Sequence, residues 1–212
     1  MKPPVRAGWS LVEILVVIVI VAVIAALAVP LSLSLLARGD RAKMTSTMRT
    51  FGTSIFAAAA DRDGRLPGPL WPGQVAEYDR NREGRLIVEL ASYLGVEDRP
   101  APYVPEKFFT GSLRRATRGI PAKNVRLFVM NMKIASEAGQ INPWGSAADP
   151  IPGGPFNLST IPQEVRSTAP AFSEADRMHP DVASAPWAGS CAASPPHGSP
   201  RLNFYFDGSV RP

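Results

Sequence analysis

Gly8-Trp9-Ser10-Leu11-Val12-Glu13 opens onto an uninterrupted apolar run from Ile14 to Val29, closed by Pro30. How this stretch is read decides the rest of the chain. Across 11–36, 22 of 26 residues are apolar, and the one ionisable group is Glu13. Helix rises 1.5 Å per residue, so the run from Ile14 to Val29 reaches about 24 Å, short of a hydrocarbon core of about 30 Å. Leu31, Leu33, Leu35 and Leu36 lengthen it enough to span, because Ser32 and Ser34 can bond back to helix carbonyls. The run is rich in Val and Ile, which favour helix poorly in water. In lipid the backbone must satisfy itself, and helix is the single-segment solution.

The other residues have a different composition. The 212-residue chain is 45% hydrophobic, but without this window the share falls to roughly 39%. Three of its 22 prolines lie at or before Pro30, none between Leu31 and Leu66, and nineteen from Pro67 onward. These figures exclude a uniformly soluble globule, a multi-span membrane protein and a fully disordered chain. One membrane-inserting segment joined to one domain of ordinary size remains. Net charge is +5, and 21 basic against 17 acidic residues beyond residue 36 leave +4 on the soluble part. That balance suits anionic surfaces but is not the dense basic stripe of a dedicated nucleic-acid binder. Cys191 stands alone, so no intramolecular disulfide forms.

Three readings compete for the N-terminal segment. A secretory signal would use Lys2 and Arg6 as its charged start and Ala26-Leu27-Ala28 as its cleavage site. Its apolar core is long for that, and Glu13 falls where no charge belongs. A plain single-span anchor would let Glu13 snorkel to the headgroups. The third reading takes Glu13 as functional, since a carboxylate within a membrane segment costs about 2.5–3.5 kcal/mol on insertion scales.

The glycine before Trp9, the glutamate at 13, the long apolar run and Pro30 together resemble the prepilin N-terminus of type IV pilins and type II secretion pseudopilins. The resemblance implies a leader over 1–8, cut after Gly8 by a prepilin peptidase, and a methylated new N-terminus at Trp9, where phenylalanine is usual. It implies that Glu13 is the glutamate used in filament assembly and Pro30 the helix-bending proline. In a filament, the cationic N-terminus of an incoming subunit could pair with Glu13 in a low-dielectric helical core, which would favour addition in register. Arg38, Asp40, Arg41 and Lys43 follow the span with net charge +2, so the positive-inside bias is weak. The orientation, N-terminus in the cytoplasm of a bacterial inner membrane and head in the periplasm or at the surface, follows from the resemblance.

The proline-free window predicts a helix continuing to about Ala60. Met44, Met48, Phe51, Ile55 and Ala58 form an apolar stripe at alternating spacings of four and three, suited to packing on the protein's own sheet. Gly39 and Gly52 weaken this helix locally. Asp61-Arg62-Asp63-Gly64-Arg65-Leu66-Pro67 ends it. Its D-x-D-G shares the start of a calcium loop but lacks the later ligands, so it reads as a polar helix stop.

Beyond it, a short helix is predicted at 84–94, stopped by Gly95, and a buried strand at Val125–Met132. An irregular surface loop is expected at 139–163 and a weaker strand at Thr168–Ser173. Arg201–Phe206 is an amphipathic strand with Leu202, Phe204 and Phe206 on one face. A turn at Asp207-Gly208 leads to a terminal strand at 209–211. The densest basic stretch, Arg114, Arg115, Arg118, Lys123 and Arg126, reads as a solvated loop or headgroup contact, or more sharply as a DNA or acidic-polysaccharide contact.

The expected fold class is α+β: a pilin-like fold with a membrane-spanning part at 9–36, an amphipathic continuation at 37–60, and a head at 61–212 built on a small antiparallel sheet.

His197, nine intervening residues, then Asp207-Gly208 resemble the H-X9-DG domain of a subgroup of bacterial prepilin-type proteins. Glu174-Ala175-Asp176 and Pro195-Pro196-His197-Gly198 match the same subgroup, while Ser209 stands where its histidine is usual. His197 is expected to approach Asp207 in a hydrogen bond that fixes the terminal hairpin. A metal set of His179, Cys191, His197 and Asp207, or a Cys191–His197 nucleophile pair, lacks the spacing such sites need. No cofactor and no enzymatic activity is expected, because no G-x-S-x-G, phosphate loop or carboxylate constellation appears.

The leading expectation is therefore a structural subunit of a pseudopilus or type IV pilus-like filament. Its partners would be a prepilin peptidase, sister pilins, a platform protein with its assembly ATPase, and the lipid bilayer. The alternative is an anchored binding module for DNA, polysaccharide or a secreted substrate.

Overall fold

The proline-free window and the apolar run before it form one 50-residue helix, α1 (Leu11–Ala60). The computed structural model describes residues 11–137, 139–148 and 155–212, so the expected leader, Gly8 and Trp9 lie outside the described residues. Pro30 lies within α1. The helix ends as the polar stop suggests. Asp63 and Gly64 take left-handed backbone (φ 55° and 84°), and the Gly64 amide donates back to the Ala59 carbonyl at 2.7 Å.

The chain divides into two units, between Gly39 and Asp40. In the first, α1 is long and apolar enough to cross a membrane. As expected, the Ser32 and Ser34 hydroxyls donate back to the Ala28 and Leu31 carbonyls, each at 2.8 Å.

The second unit begins with the rest of α1. It continues with β1 (Gly73–Val75), α2 (Leu86–Glu89), α3 (Ala91–Leu94), α4 (Gly111–Ala116) and β2 (Arg126–Met130). Next come β3 (Ile134–Ser136), β4 (Gly139–Ile141), α5 (Gln163–Thr168), β5 (Pro170–Glu174), α6 (Pro180–Ala183), β6 (Asn203–Tyr205) and β7 (Val210–Arg211). Five strands make an antiparallel sheet in the order β1-β2-β5-β6-β7, and β3 with β4 forms a separate hairpin. The long helix and small antiparallel sheet make the fold α+β.

The predicted stripe faces the core: Met44, Met48, Phe51, Ile55 and Ala58 are all buried. Phe51 meets Phe128 of β2 edge-on at 5.0 Å between ring centroids. From there rings pass across the sheet, Phe128 to Phe172 at 5.0 Å and Phe172 to Phe204 stacked at 4.8 Å. Cross-strand aromatic pairs of this kind add stabilisation beyond their buried area. Gly52 completes the contact. A Cβ there would come within 2.0 Å of the Phe204 ring, so the glycine is where β6 seats against the helix. The apolar character of β2 on both parities has a related cause. Phe128 and Met130 join the main core, while Val129 joins a second cluster with Ala175, Val182 and Cys191.

Several expectations shift. The helix predicted at 84–94 is two single turns, α2 and α3, broken at Leu90 (φ −109°, ψ 13°) and stopped by left-handed Gly95 (φ 63°). The strand expected at Thr168–Ser173 is β5, displaced toward Glu174 because α5 occupies residues up to Thr168. The region 139–163 is not merely surface loop. It contains β4, and its Trp144 is fully buried, donating from Nε1 to the Ala171 carbonyl at 3.2 Å and stacking on Phe206.

Candidate assembly helix and polar clamp

From Leu11 to Leu36, every described large apolar side chain of α1 is at least 47% exposed. A helix apolar on all sides is stable in lipid or against other helices, not in water. Glu13 lies in its first described turn.

The head has its own concentration of polar groups where α1 enters it. Asp40 accepts from the Gly111 amide at 3.2 Å and from the Ser112 amide and hydroxyl at 2.6 and 2.7 Å. It therefore satisfies the first amides of α4. Burial alone would raise its pKa, but the Ser112 and Gly111 bonds and the Arg115 guanidinium outweigh it and hold the carboxyl below the ordinary carboxylate value. Arg41 donates to the carbonyls of His197 (2.8 Å), Gly198 (3.4 Å) and Pro200 (3.0 Å). Lys43 donates to the Phe109 carbonyl at 2.7 Å. Charges that resemble a flank of the membrane span are thus ties within the head.

His197 is at the centre of this clamp, and its partners differ from the expected one. Its Nδ1 bonds Glu174 Oε1, and its Nε2 lies 2.6 Å from the Thr110 hydroxyl. All three residues are buried. Thr110 also accepts from the Leu113 amide at 3.1 Å as the N-cap of α4, and Glu174 Oε2 accepts from the Leu202 amide at 3.0 Å. One tautomer satisfies every group: Nδ1–H donates to the carboxylate while the threonine hydroxyl donates to Nε2. The order of hydroxyl, imidazole and carboxylate is that of a nucleophile relay. Here, however, the hydroxyl is closed off from solvent and already serves as a helix cap, so the arrangement ties α4, β5 and the C-terminal loop together. A second buried acid close by, Asp176, takes a bidentate contact from Arg201 at 2.6 and 2.9 Å.

Asp207 does not meet His197. It accepts from the Ser209 amide and hydroxyl at 2.9 and 2.6 Å and pairs with Arg211 at 3.0 Å. Burial would raise its pKa, but these bonds hold it below the ordinary value. Gly208 supplies the left-handed turn (φ 83°) between β6 and β7. The H-X9-DG residues therefore do two separate structural jobs.

The other weighed sets are scattered too. Cys191 packs in the second core cluster, where burial pushes its thiol up to about 11, and it is not paired with His197. His179 caps α6, accepting from the Asp181 amide at 3.2 Å. Among the described residues no group of three or more His, Cys, Asp or Glu side chains is placed to hold a metal ion. The basic stretch is divided as well: Arg114 pairs with Glu106, Arg115 with Asp40, and Arg126 stacks over Trp187.

Thr110 and Glu174 escaped prediction as partners of His197. The only sequence signal was Glu174-Ala175-Asp176, two acids straight after an apolar strand. Comparison with known protein families, with curated proteins and with solved structures finds no match to this chain.

Proposed function

We propose that this chain is a structural subunit of a type II secretion pseudopilus or type IV pilus-like filament. It would be made as an inner-membrane precursor, trimmed after Gly8 by a prepilin peptidase and methylated at Trp9. Its N-terminus would face the cytoplasm and its head the periplasm or cell surface. The observation that carries this reading is the segment of α1 before Gly39, apolar on all sides with Glu13 in its first described turn. Such a surface is compatible with lipid before assembly and with the helices of sister subunits after it, so one segment serves both states.

In the filament, the amine at Trp9 of an arriving subunit meets Glu13 of its neighbour in a dry helical core. The attraction there exceeds that in water and fixes register. A platform protein and its ATPase supply the work of extraction from the bilayer. The head follows, since its own part of α1, held to it by Asp40, Arg41 and Lys43, continues the same chain.

The test is a Glu13→Leu variant in cells that hold the rest of the assembly system. It inserts into the membrane and keeps a folded head, but it enters sheared filaments at a small fraction of the wild-type level. Incorporation equal to wild type would contradict the proposal.

A further inference from the structure

A cleft of about 420 Å³ opens on the head between Trp71 and Trp187, with Arg126, Arg85, Asn81 and Glu83 around it. Nothing in the filament reading uses it. Trp71 is 43% exposed, which is unusual for the largest apolar side chain, and its Nε1 is tethered to the Glu83 carbonyl at 3.3 Å. Trp187 lies flat on Gly73, whose Cβ would come within 2.9 Å of the indole. Both rings are therefore held in place by backbone around the cleft.

Arg126 is the unusual member. Its Nη1 donates to the Gly73 carbonyl at 2.6 Å. Its Nε is buried without a hydrogen-bond partner among the described residues, and the side chain's one hydrogen bond there is the one from Nη1. Nε is the one side-chain nitrogen or oxygen so left among the described residues. With Nη1 on the Gly73 carbonyl and Nε closed over, Nη2 is the donor this guanidinium has left for a bound carboxylate. Burial first, and then the Arg85 cation, lower the pKa of Arg126 below the ordinary guanidinium value, a cost that a bound anion would offset. By contrast, Arg85 is paired with Glu77 at 2.8 Å and Arg82 with Asp79 at 3.4 Å.

The charge pattern limits the ligand. Glu77, Asp79 and Glu83 balance the three arginines in number, so no basic track exists for a repeating phosphate backbone. One guanidinium takes one carboxylate. Trp187 is covered by Gly73 and Arg126, but the exposed Trp71 indole suits the apolar face of a ring, and the exposed Glu83 and Asn81 offer acceptors for hydroxyl groups. We propose that this cleft binds a carboxylated sugar, a uronate unit, with its carboxylate on Arg126 Nη2, its ring face on Trp71 and its hydroxyls on Glu83 and Asn81. The site stands independently of the filament reading, since it lies wholly within the head.

Titration calorimetry of the full chain in detergent micelles, with a hexuronate disaccharide as probe, tests it. Binding is saturable for the acid and at least about tenfold weaker for its methyl ester. Arg126→Lys keeps the charge but loses the planar guanidinium that lies over Trp187 and reaches the carboxylate, and weakens binding by about tenfold. Trp71→Ala, at an exposed position that leaves the core intact, weakens it similarly and decides the matter should Arg126→Lys fail to fold. Equal binding of acid and ester, absence of saturation, or wild-type affinity in Trp71→Ala overturns the proposal. So does tighter binding of a free aromatic amino acid or a single-stranded oligonucleotide than of the uronate.

Discussion

At Gly52 the missing side chain leaves the space that the Phe204 ring fills, and Phe204 is itself stacked on Phe172. Alanine is the better helix former by about 1 kcal/mol. Its methyl would nevertheless overlap a ring that has no room to retreat, and overpacking of this kind costs about 1–3 kcal/mol. Gly52→Ala should therefore lower the denaturation midpoint of the head, and Phe204→Leu in the same chain should restore part of the loss. A stability gain in the single variant would show that the ring can move.

His197 allows a sharper test. Removing it leaves Glu174 buried with one partner fewer, and breaking a buried ionic or charge-assisted contact typically costs about 3–5 kcal/mol. His197→Ala should approach that loss, whereas Asp207→Ala, at a surface turn, should cost about 1 kcal/mol or less. Equal losses in the two variants would restore the His197–Asp207 pairing that the spacing suggested.

His179 adds a pH dependence. Burial first, and then Arg201, lower its pKa below the ordinary 6.5. Its contribution is therefore complete above about pH 6.5 and is lost as pH falls through the lower value in the folded head. His179→Asn keeps an acceptor at the cap of α6 and should flatten that part of the stability–pH curve.

Among the elements, α1 joins two environments within one run of hydrogen bonds. Its stripe from Met44 to Ala58 could be read from periodicity alone, because a helix packed on one side must repeat its apolar positions every three or four residues. The end at Asp61–Gly64 could be read from turn chemistry. Other elements carry no such signal. The three residues of β1 are too few to show alternation, and the break at Leu90 between α2 and α3 involves neither proline nor glycine. Trp144 looked like part of a Pro/Gly-rich surface loop, yet its indole fills the space beside Phe206. Thr110 lies 87 positions from His197, and only tertiary folding brings them together.

The polar clamp yields a prediction at this level. Arg41 alone holds three carbonyls of the C-terminal loop, so Arg41→Ala should release that loop locally. Amide exchange should accelerate over residues 195–203 while β2 keeps its protection. Uniform protection across the head would mean that the His197 contacts suffice without Arg41.

For the molecule as a whole, the apolar content belongs to two unlike populations. One is a helix segment whose described large apolar side chains are exposed; the other is a head whose aromatic core is closed by the second half of the same helix. The head holds itself together with hydrogen bonds, ion pairs and ring stacking and uses no disulfide, since Cys191 is free and buried. The proposed function gives this division a reason: the segment would serve lipid first and sister subunits afterwards.

Mass spectrometry of the mature N-terminus in membranes tests that claim most directly. The account predicts a chain that begins at Trp9 and carries a methylated amine. A chain beginning at Val29, or one that retains Met1, would contradict it.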